Sequence, residues 1–599
     1  MSSLISSISR LMPYGRPGLT RDRLMPKGRF HQLSVILLWI VFLLYLDYWI
    51  RMHAGMLFDT FFQNDDTRNL YPFHCYGIQG VFSNDPVAAQ VLLSSHPLVI
   101  WLLYRLLMPL AGIYLAPKLV QIASFAIIGL SGFLLIRSRR GGLAAGLILV
   151  FMMFHFYIVP NRIAGGLARA FAFPALALWG SGVIAGSERT RWAGALLAGA
   201  TYPVAMLLIL AGEFFDLLAG RASWRSGVFR SKGRKLILLC VVCLLITLPF
   251  ILAAKRSGTS FSSAQVTSAP VFGKEGRWPI LHPQDIYRLI SKGWRYLSGN
   301  AAAAGASNIR FSPSERIILI SAVFAGLAVL ICLFFRSRPP PPALALIAAS
   351  CACYAIAWIF LFHFYLPQRY FEYGFPAAVI LLVPAVFARL FQGKLGIARF
   401  TRRNFAACAF ITAAFFVPGA VVRNNGMTVN FFTLSKLYKF VSTLPPGILI
   451  ASHPNDGNDI PYWSERAVVA SYETLVPLNV EYWEQGKKRA YDTFNALYAV
   501  DRKILLDYCD NYQVTHLFVH SARYGPFFKE YAGFFEPFKS FLREKLAHIR
   551  PEDLVLSRVP KDAIIFRDKG FYLVEVKRLR RAWKKIPMIR PAPSTRPAK

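Results

Sequence analysis

Residues 61–74, FFQNDDTRNLYPFH, set the adjacent carboxylates of Asp65 and Asp66 beside the guanidinium of Arg68 in an aromatic-rich stretch. A carboxylate held at a membrane interface against apolar walls can keep a raised pKa or a bound cation. Such a group takes a proton from a hydroxyl, or holds a divalent metal such as Mg or Mn through oxygen ligands. The same run also reads as a solvated turn or a helix cap. Tyr71, His74 and, further on, His96 fall in the same loop and crowd the acidic pair, as side chains around a site do. Asp47 and Asp59, nearer the preceding apolar run, compete for the carboxylate role.

Cations sit in two other patches. In NRIAGGLARAFAFP (161–174), Arg162 and Arg169 fall seven apart, which on a continuous helix puts them on one face. A guanidinium within a membrane needs a partner, and the planar fork matches a phosphate; snorkelling to the interface accounts for Arg162 equally well. In HFYLPQRYFEYG (363–374), Arg369 and Tyr370 can meet a second phosphate oxygen, or Arg369 can pair with Glu372 at helical spacing. The acidic run SHPNDGNDIP (452–461) lacks the later bidentate glutamate of a calcium-binding EF-hand and reads as a tight loop.

These residues need elements to hold them. The 599-residue chain is 55% hydrophobic and 17% charged, and its mean hydropathy is +0.41. Apolar runs long enough to cross a ~30 Å hydrocarbon core recur along it. Spans are expected near 33–50, 117–136, 142–159, 168–186, 235–254, 315–335, 341–363, 372–391 and 403–421. Residues 97–114 carry Arg105 and Pro109 and suit an interfacial or re-entrant helix as well as a span. Pro203 breaks what is otherwise one long helix over 192–219. The eight cysteines show no metal spacing; Cys240 and Cys243 form C-x-x-C, but within an apolar helix.

The net charge of +37 resides mostly in short Lys/Arg clusters between apolar runs, an orientation signal rather than a nucleic-acid footprint. The basic residues 1–32, which read as the cytoplasmic arm of an uncleaved signal anchor, join clusters at 137–140, 187–191, 221–235, 336–342 and 394–403. All share one side if 97–114 does not cross and 192–219 enters and leaves by the same face. The opposite face then receives 51–92, 160–167, 255–314, 363–374 and everything after 421. Residues 33–421 form the membrane domain. Residues 422–576 read as a small outer α/β domain with strands in GILIASH, AVVASY, VTHLFVH and FYLVEV, followed by a basic tail over 577–599. The tail reads as disordered or as a contact for anionic lipid head groups.

The acidic pair in NDDTR, with RIAGGLARAFAFP, TYPV, LPQRY and ASHPNDGNDIPYWSER, resembles the GT-C superfamily of integral-membrane glycosyltransferases over roughly residues 33–475. The resemblance implies a polytopic α-helical membrane protein with about 9–11 transmembrane helices, half-inserted helices and a C-terminal extracytoplasmic α/β domain. It implies transfer of a sugar from a polyprenyl-phosphate donor to a glycan, lipid or protein acceptor at the outer face of the bacterial inner membrane. Asp65 and Asp66 would then serve as base or metal ligands. Arg169 and Arg369 would hold the lipid phosphate, with Arg68, His74, His96, Arg162 and Tyr370 as further substrate contacts. In many members the acid lies closer to the first span, which keeps Asp47 and Asp59 in play. The rival reading is a non-catalytic lipid-linked glycan flippase or an inactive scaffold, either of which needs the arginines but not the acids.

Overall fold

The computed structural model describes residues 62–63, 65–76, 96–138, 142–156, 158–219, 227–280, 282–284, 341–361, 366–392 and 429–585; of Asp65, Asp66 and His74 it describes the backbone alone. The spans expected at 33–50, 315–335 and 403–421, together with Asp47 and Asp59, lie outside the described residues.

Strand β1 (Phe62–Gln63) leads into a 3-10 helix, Asp65–Tyr76. The membrane bundle follows as α1 (Leu98–Arg137), α2 (Gly142–His155), α3 (Ile158–Ala164), α4 (Ala172–Ala185), α5 (Glu188–Thr201), α6 (Pro203–Ala219), α7 (Gly227–Arg256), α8 (Pro341–Ile359) and α9 (Gln368–Gln392). Among the described residues four helices are long and apolar enough to cross a membrane, and α2 with α3, bent by 64°, form either a broken span or a re-entrant loop. Helix α4 lies at the centre, with Phe173, Leu176 and Trp179 inaccessible to solvent. Helix α7 lies at the rim and turns Ile237, Leu244 and Leu245 outward.

The 40 residues of α1 would measure about 60 Å as a straight rod, twice the hydrocarbon thickness. They do not form one: Gly112 adopts φ 70°, ψ 171° and breaks the helix inside the stretch 97–114 that carries Arg105 and Pro109. The break falls at Gly112, not at Pro109, because only glycine enters that conformation without a Cβ penalty. Downstream, Pro117 has no N–H to offer the Ile113 carbonyl. Tyr462, from the C-terminal domain, donates to that carbonyl instead, at 3.2 Å.

Pro203 ends the next long run as the sequence indicated. Helices α5 and α6 fold back as a hairpin about Tyr202, so that Arg191 near the start of α5 reaches Glu213 and Asp216 near the end of α6. At about 1.5 Å per residue neither arm crosses a full bilayer. The open end of the hairpin is also where Lys235 of α7 meets Glu188, at 2.7 Å. Two of the basic clusters therefore share one end of the bundle.

The C-terminal domain occupies the other end. Its elements are β2 (Val429–Asn430), α10 (Ser435–Thr443), β3 (Leu449–Ser452), α11 (Ile460–Ser464), β4 (Ala467–Val468), α12 (Val480–Leu497), α13 (Arg502–Asn511), β5 (His516–His520), β6 (Ile564–Asp568), β7 (Phe571–Glu575) and α14 (Val576–Lys585), with short helices between β5 and β6. The sheet order is β4-β3-β5-β7-β6, with β3 parallel to β4 and β5, and β7 antiparallel to both of its neighbours. Strand β6 joins β7 through Lys569 and Gly570, both at positive φ, the backbone of a tight hairpin. The basic segment after 576 is not all tail: α14 buries Val576, Leu579 and Trp583 against the domain, so the fold continues through Lys585. Spacing of three to four residues between these apolar side chains gives the helix its buried stripe.

The loop after α7 is sandwiched between the bundle and this domain. Asn479 donates to the Ser257 carbonyl (3.0 Å), Arg277 pairs with Glu473 (2.9 Å), and Gln368 at the start of α9 donates to the Pro279 carbonyl (2.9 Å). The segments assigned to the outer side on charge grounds thus meet at one end of the bundle.

Candidate active site

The 3-10 helix Asp65–Tyr76 lies in that junction. Its polar start and Pro72 discourage an α-helix. Leu70, Tyr71 and Phe73 bury themselves against Ile100 and Tyr104 of α1; the Phe73 ring lies 4.8 Å from Tyr104 and 5.1 Å from His96. Asp65, Asp66 and His74 share this backbone. Arg68 turns to the C-terminal domain, where its Nη1 meets Asp459 Oδ1 at 2.9 Å. Burial raises the Asp459 carboxyl above the usual aspartate value, and the Arg68 guanidinium draws it back.

From Tyr104 a hydrogen bond runs to the turn that lies between Arg162 and Arg169 in the chain. Tyr104 Oη donates to the Gly166 carbonyl at 2.6 Å, and Gln121 donates to that of Ala164. Gly166 stands at φ 64°, so the chain turns between Arg162 on α3 and Arg169 on the 3-10 turn Ala168–Phe171. The expectation that both lie on one helical face is therefore corrected: two consecutive glycines weaken the helix, and the second adopts a backbone conformation no helix allows. A Cβ at Gly166 would lie 2.7 Å from Tyr104 Oη and 2.9 Å from Pro117. Gly166→Ala is expected to lower stability by about 2 kcal/mol or more, read by thermal unfolding in nanodiscs.

Arg162 and Arg369 converge. Arg162 Nη2 lies 2.9 Å, and Arg369 Nη1 2.7 Å, from the same oxygen, Glu372 Oε2. Glu372 is 2% exposed. Two guanidiniums share one carboxylate oxygen. The Arg162 guanidinium also stands 5.9 Å from the Tyr373 ring. Arg162 Nε and Tyr373 Oη are both buried and make no hydrogen bond among the described residues. Unsatisfied buried donors of this kind are costly, and an anion would satisfy them. Tyr373 was not among the residues the sequence singled out; an aromatic three residues before a proline on an apolar helix carries no signal of its own. Glu372 was visible only as a helical partner for Arg369, not as the point where two distant patches meet.

Two expected contacts have other surroundings. Tyr370 is 1% exposed and packs inside the helical core, with Tyr354 and Phe371 in the same cluster, rather than facing an open rim. His96 buries both ring nitrogens with no hydrogen-bond partner among the described residues, and burial lowers its pKa from 6.5 to about 4. It is a neutral imidazole at pH 7, not a cation for phosphate. The unfolded chain binds a proton here between pH 6.5 and 4 where the folded one does not, so stability falls as the pH drops through that window. The loss by pH 4.5 is about 2–3 kcal/mol. His96→Leu is expected to flatten this slope, measured as the difference in unfolding midpoint from wild type at pH 7.5 and pH 4.5.

Among the described residues no three His, Cys, Asp or Glu side chains come together to hold a metal. Asp459 and Glu372 are already held by arginines. The side chains of Asp65 and Asp66, the expected ligands of a divalent metal, lie outside the described residues.

Neither a protein-family model nor a curated protein matches the sequence. Solved structures do. ArnT from Cupriavidus metallidurans aligns over 90% of this chain and 97% of its own, with 13% identity and a TM-score of 0.46. The oligosaccharyltransferase AglB from Archaeoglobus fulgidus, solved with an inhibitory peptide and a dolichol-phosphate, aligns over 84% of this chain and 70% of its own, with 11% identity and a TM-score of 0.45. The same oligosaccharyltransferase with Zn and sulfate gives 12% identity and a TM-score of 0.43, over 81% and 67%. These neighbours are GT-C membrane glycosyltransferases.

Proposed function

We propose that the protein transfers a sugar from a polyprenyl-phosphate donor to a hydroxyl-bearing glycan, lipid or protein acceptor at the outer face of the bacterial inner membrane. The observation that carries the reading is the convergence of Arg162 and Arg369 on Glu372, with unsatisfied buried donors on Arg162 and Tyr373 beside it. Four residues after Arg162, the Gly166 carbonyl accepts from Tyr104, whose ring lies 4.8 Å from Phe73 on the 3-10 helix bearing Asp65 and Asp66. A lipid phosphate suits such a place: its head group takes the N–H donors, and its chain lies along the apolar helices.

In the proposed step Asp65 or Asp66 accepts the proton of the acceptor hydroxyl. The acceptor oxygen forms a bond to the anomeric carbon as the bond from that carbon to the phosphate oxygen breaks. Polyprenyl phosphate leaves with the electron pair. Negative charge grows on the phosphate during this step, where Arg162, Arg369 and Arg169 would stabilise it more strongly than in the ground state. The test is purified protein in nanodiscs with a radiolabelled polyprenyl-phosphate sugar and an envelope glycolipid extract. New acid-stable, label-bearing product is the expected result. In proteoliposomes, movement of intact labelled donor across the bilayer with no new linkage would instead identify a flippase.

A further inference from the structure

We propose that Asp459 is a positioning residue: through its ion pair with Arg68, the C-terminal domain fixes the backbone that carries Asp65 and Asp66. The inference rests on the transferase reading for its catalytic consequence, though not for its structural one. The acids lie between two attachments to the same domain. Immediately before them, β1 pairs antiparallel with β2, Phe62 opposite Asn430 and Gln63 opposite Val429. Immediately after them, Arg68 meets Asp459 at 2.9 Å, with side-chain exposures of 13% and 19%. A segment held so close on both sides has little freedom left for its middle residues.

Asp459 is itself well fixed. It ends the 3-10 turn Gly457–Asp459, which follows β3 and opens α11. Earlier in that loop, Asp456 takes both Nε and Nη2 of Arg523, at 2.5 and 2.7 Å, and Arg523 follows the end of β5. The loop is thus tied across the carboxyl ends of two parallel strands, the rigid end from which α/β sheets present side chains. On the far side, α11 grips the break in α1: Tyr462 donates to the Ile113 carbonyl, and Tyr114 donates to that of Trp463 at 3.1 Å with the two rings stacked. Asp459 projects from this braced loop at the 3-10 helix. A part-buried ion pair in such a setting sets geometry more reliably than it adds stability.

The experiment is hydrogen exchange and steady-state kinetics on the full chain in nanodiscs. Asp459→Asn is expected to speed amide exchange across residues 65–76 by about tenfold or more. Amides of β3, β5 and β7 should keep their wild-type protection. The same variant should lower kcat for sugar transfer by about 100-fold with donor KM little changed, as displacement of a catalytic group does. Asp459→Glu, and the exchanged pair Asp459→Arg with Arg68→Asp, should restore protection of 65–76. Unchanged exchange at 65–76 in Asp459→Asn overturns the proposal, and so does loosening that spreads through the sheet. If Asp459→Asn does not fold, Arg68→Gln carries the same expectations and the same overturning results. If wild-type protein transfers no sugar, the transferase reading fails, while the exchange measurement still decides the positioning role.

Discussion

Asp65→Asn and Asp66→Asn, tested singly, should include at least one variant whose sugar transfer falls by about 100-fold or more, the usual contribution of a general base. Donor affinity should stay within about threefold of wild type, because a base acts on the acceptor proton and makes its contribution in the transition state. The substitution keeps size and hydrogen-bonding capacity while removing the charge that accepts a proton. The surroundings support the expectation: Leu70, Tyr71 and Phe73 are buried, and the helix is attached to both the bundle and the C-terminal domain. Equilibrium binding of a fluorescent polyprenyl phosphate, set beside initial rates, separates the two effects. Normal rates in both variants would remove these acids from the reaction and return attention to Asp47 and Asp59.

Glu372→Gln should cost about 3–5 kcal/mol, because it removes the charge of a buried carboxylate that two guanidiniums share. The measurement is the thermal unfolding midpoint in nanodiscs. Glu372 is 2% exposed and accepts from Arg162 and Arg369 through one oxygen, so the amide cannot replace it electrostatically. Added polyprenyl phosphate should recover part of the loss, since the phosphate would take over as counter-ion and its binding to the folded state is linked to stability. An unfolding midpoint equal to that of wild type would mean that the two arginines are neutralised elsewhere. A destabilised variant that polyprenyl phosphate does not rescue would leave the cluster as structural support alone.

Much of the fold was legible because its signals are local. The break at Pro203, the strands at Leu449–Ser452, His516–His520 and Phe571–Glu575, and the helix Ala172–Ala185 all follow from residue type and period over short windows. The helix Val576–Lys585 shows how a local signal is overlooked. Its charge suggested a solvated tail, but Val576, Leu579 and Trp583 at helical spacing decided the outcome. The run 452–461 was read as a tight loop, and it is one, yet it supplies Asp456 and Asp459, which brace two parts of the structure. Nothing in its ten residues distinguishes a loop that only turns from one that reaches across to a partner.

The sequence alone determined that this chain is a membrane protein and which residue types could meet a phosphate and a hydroxyl. Those are properties of composition and spacing, and they hold whatever the chain folds against. Tertiary structure alone decided the pairings. Arg162 meets Glu372 across 210 residues and Arg68 meets Asp459 across 391, while His96 loses its charge to burial. The reason is physical: the energy of a charged or titratable group depends on what surrounds it within a few ångströms, and in a folded chain those neighbours are chosen by packing rather than by order along the sequence.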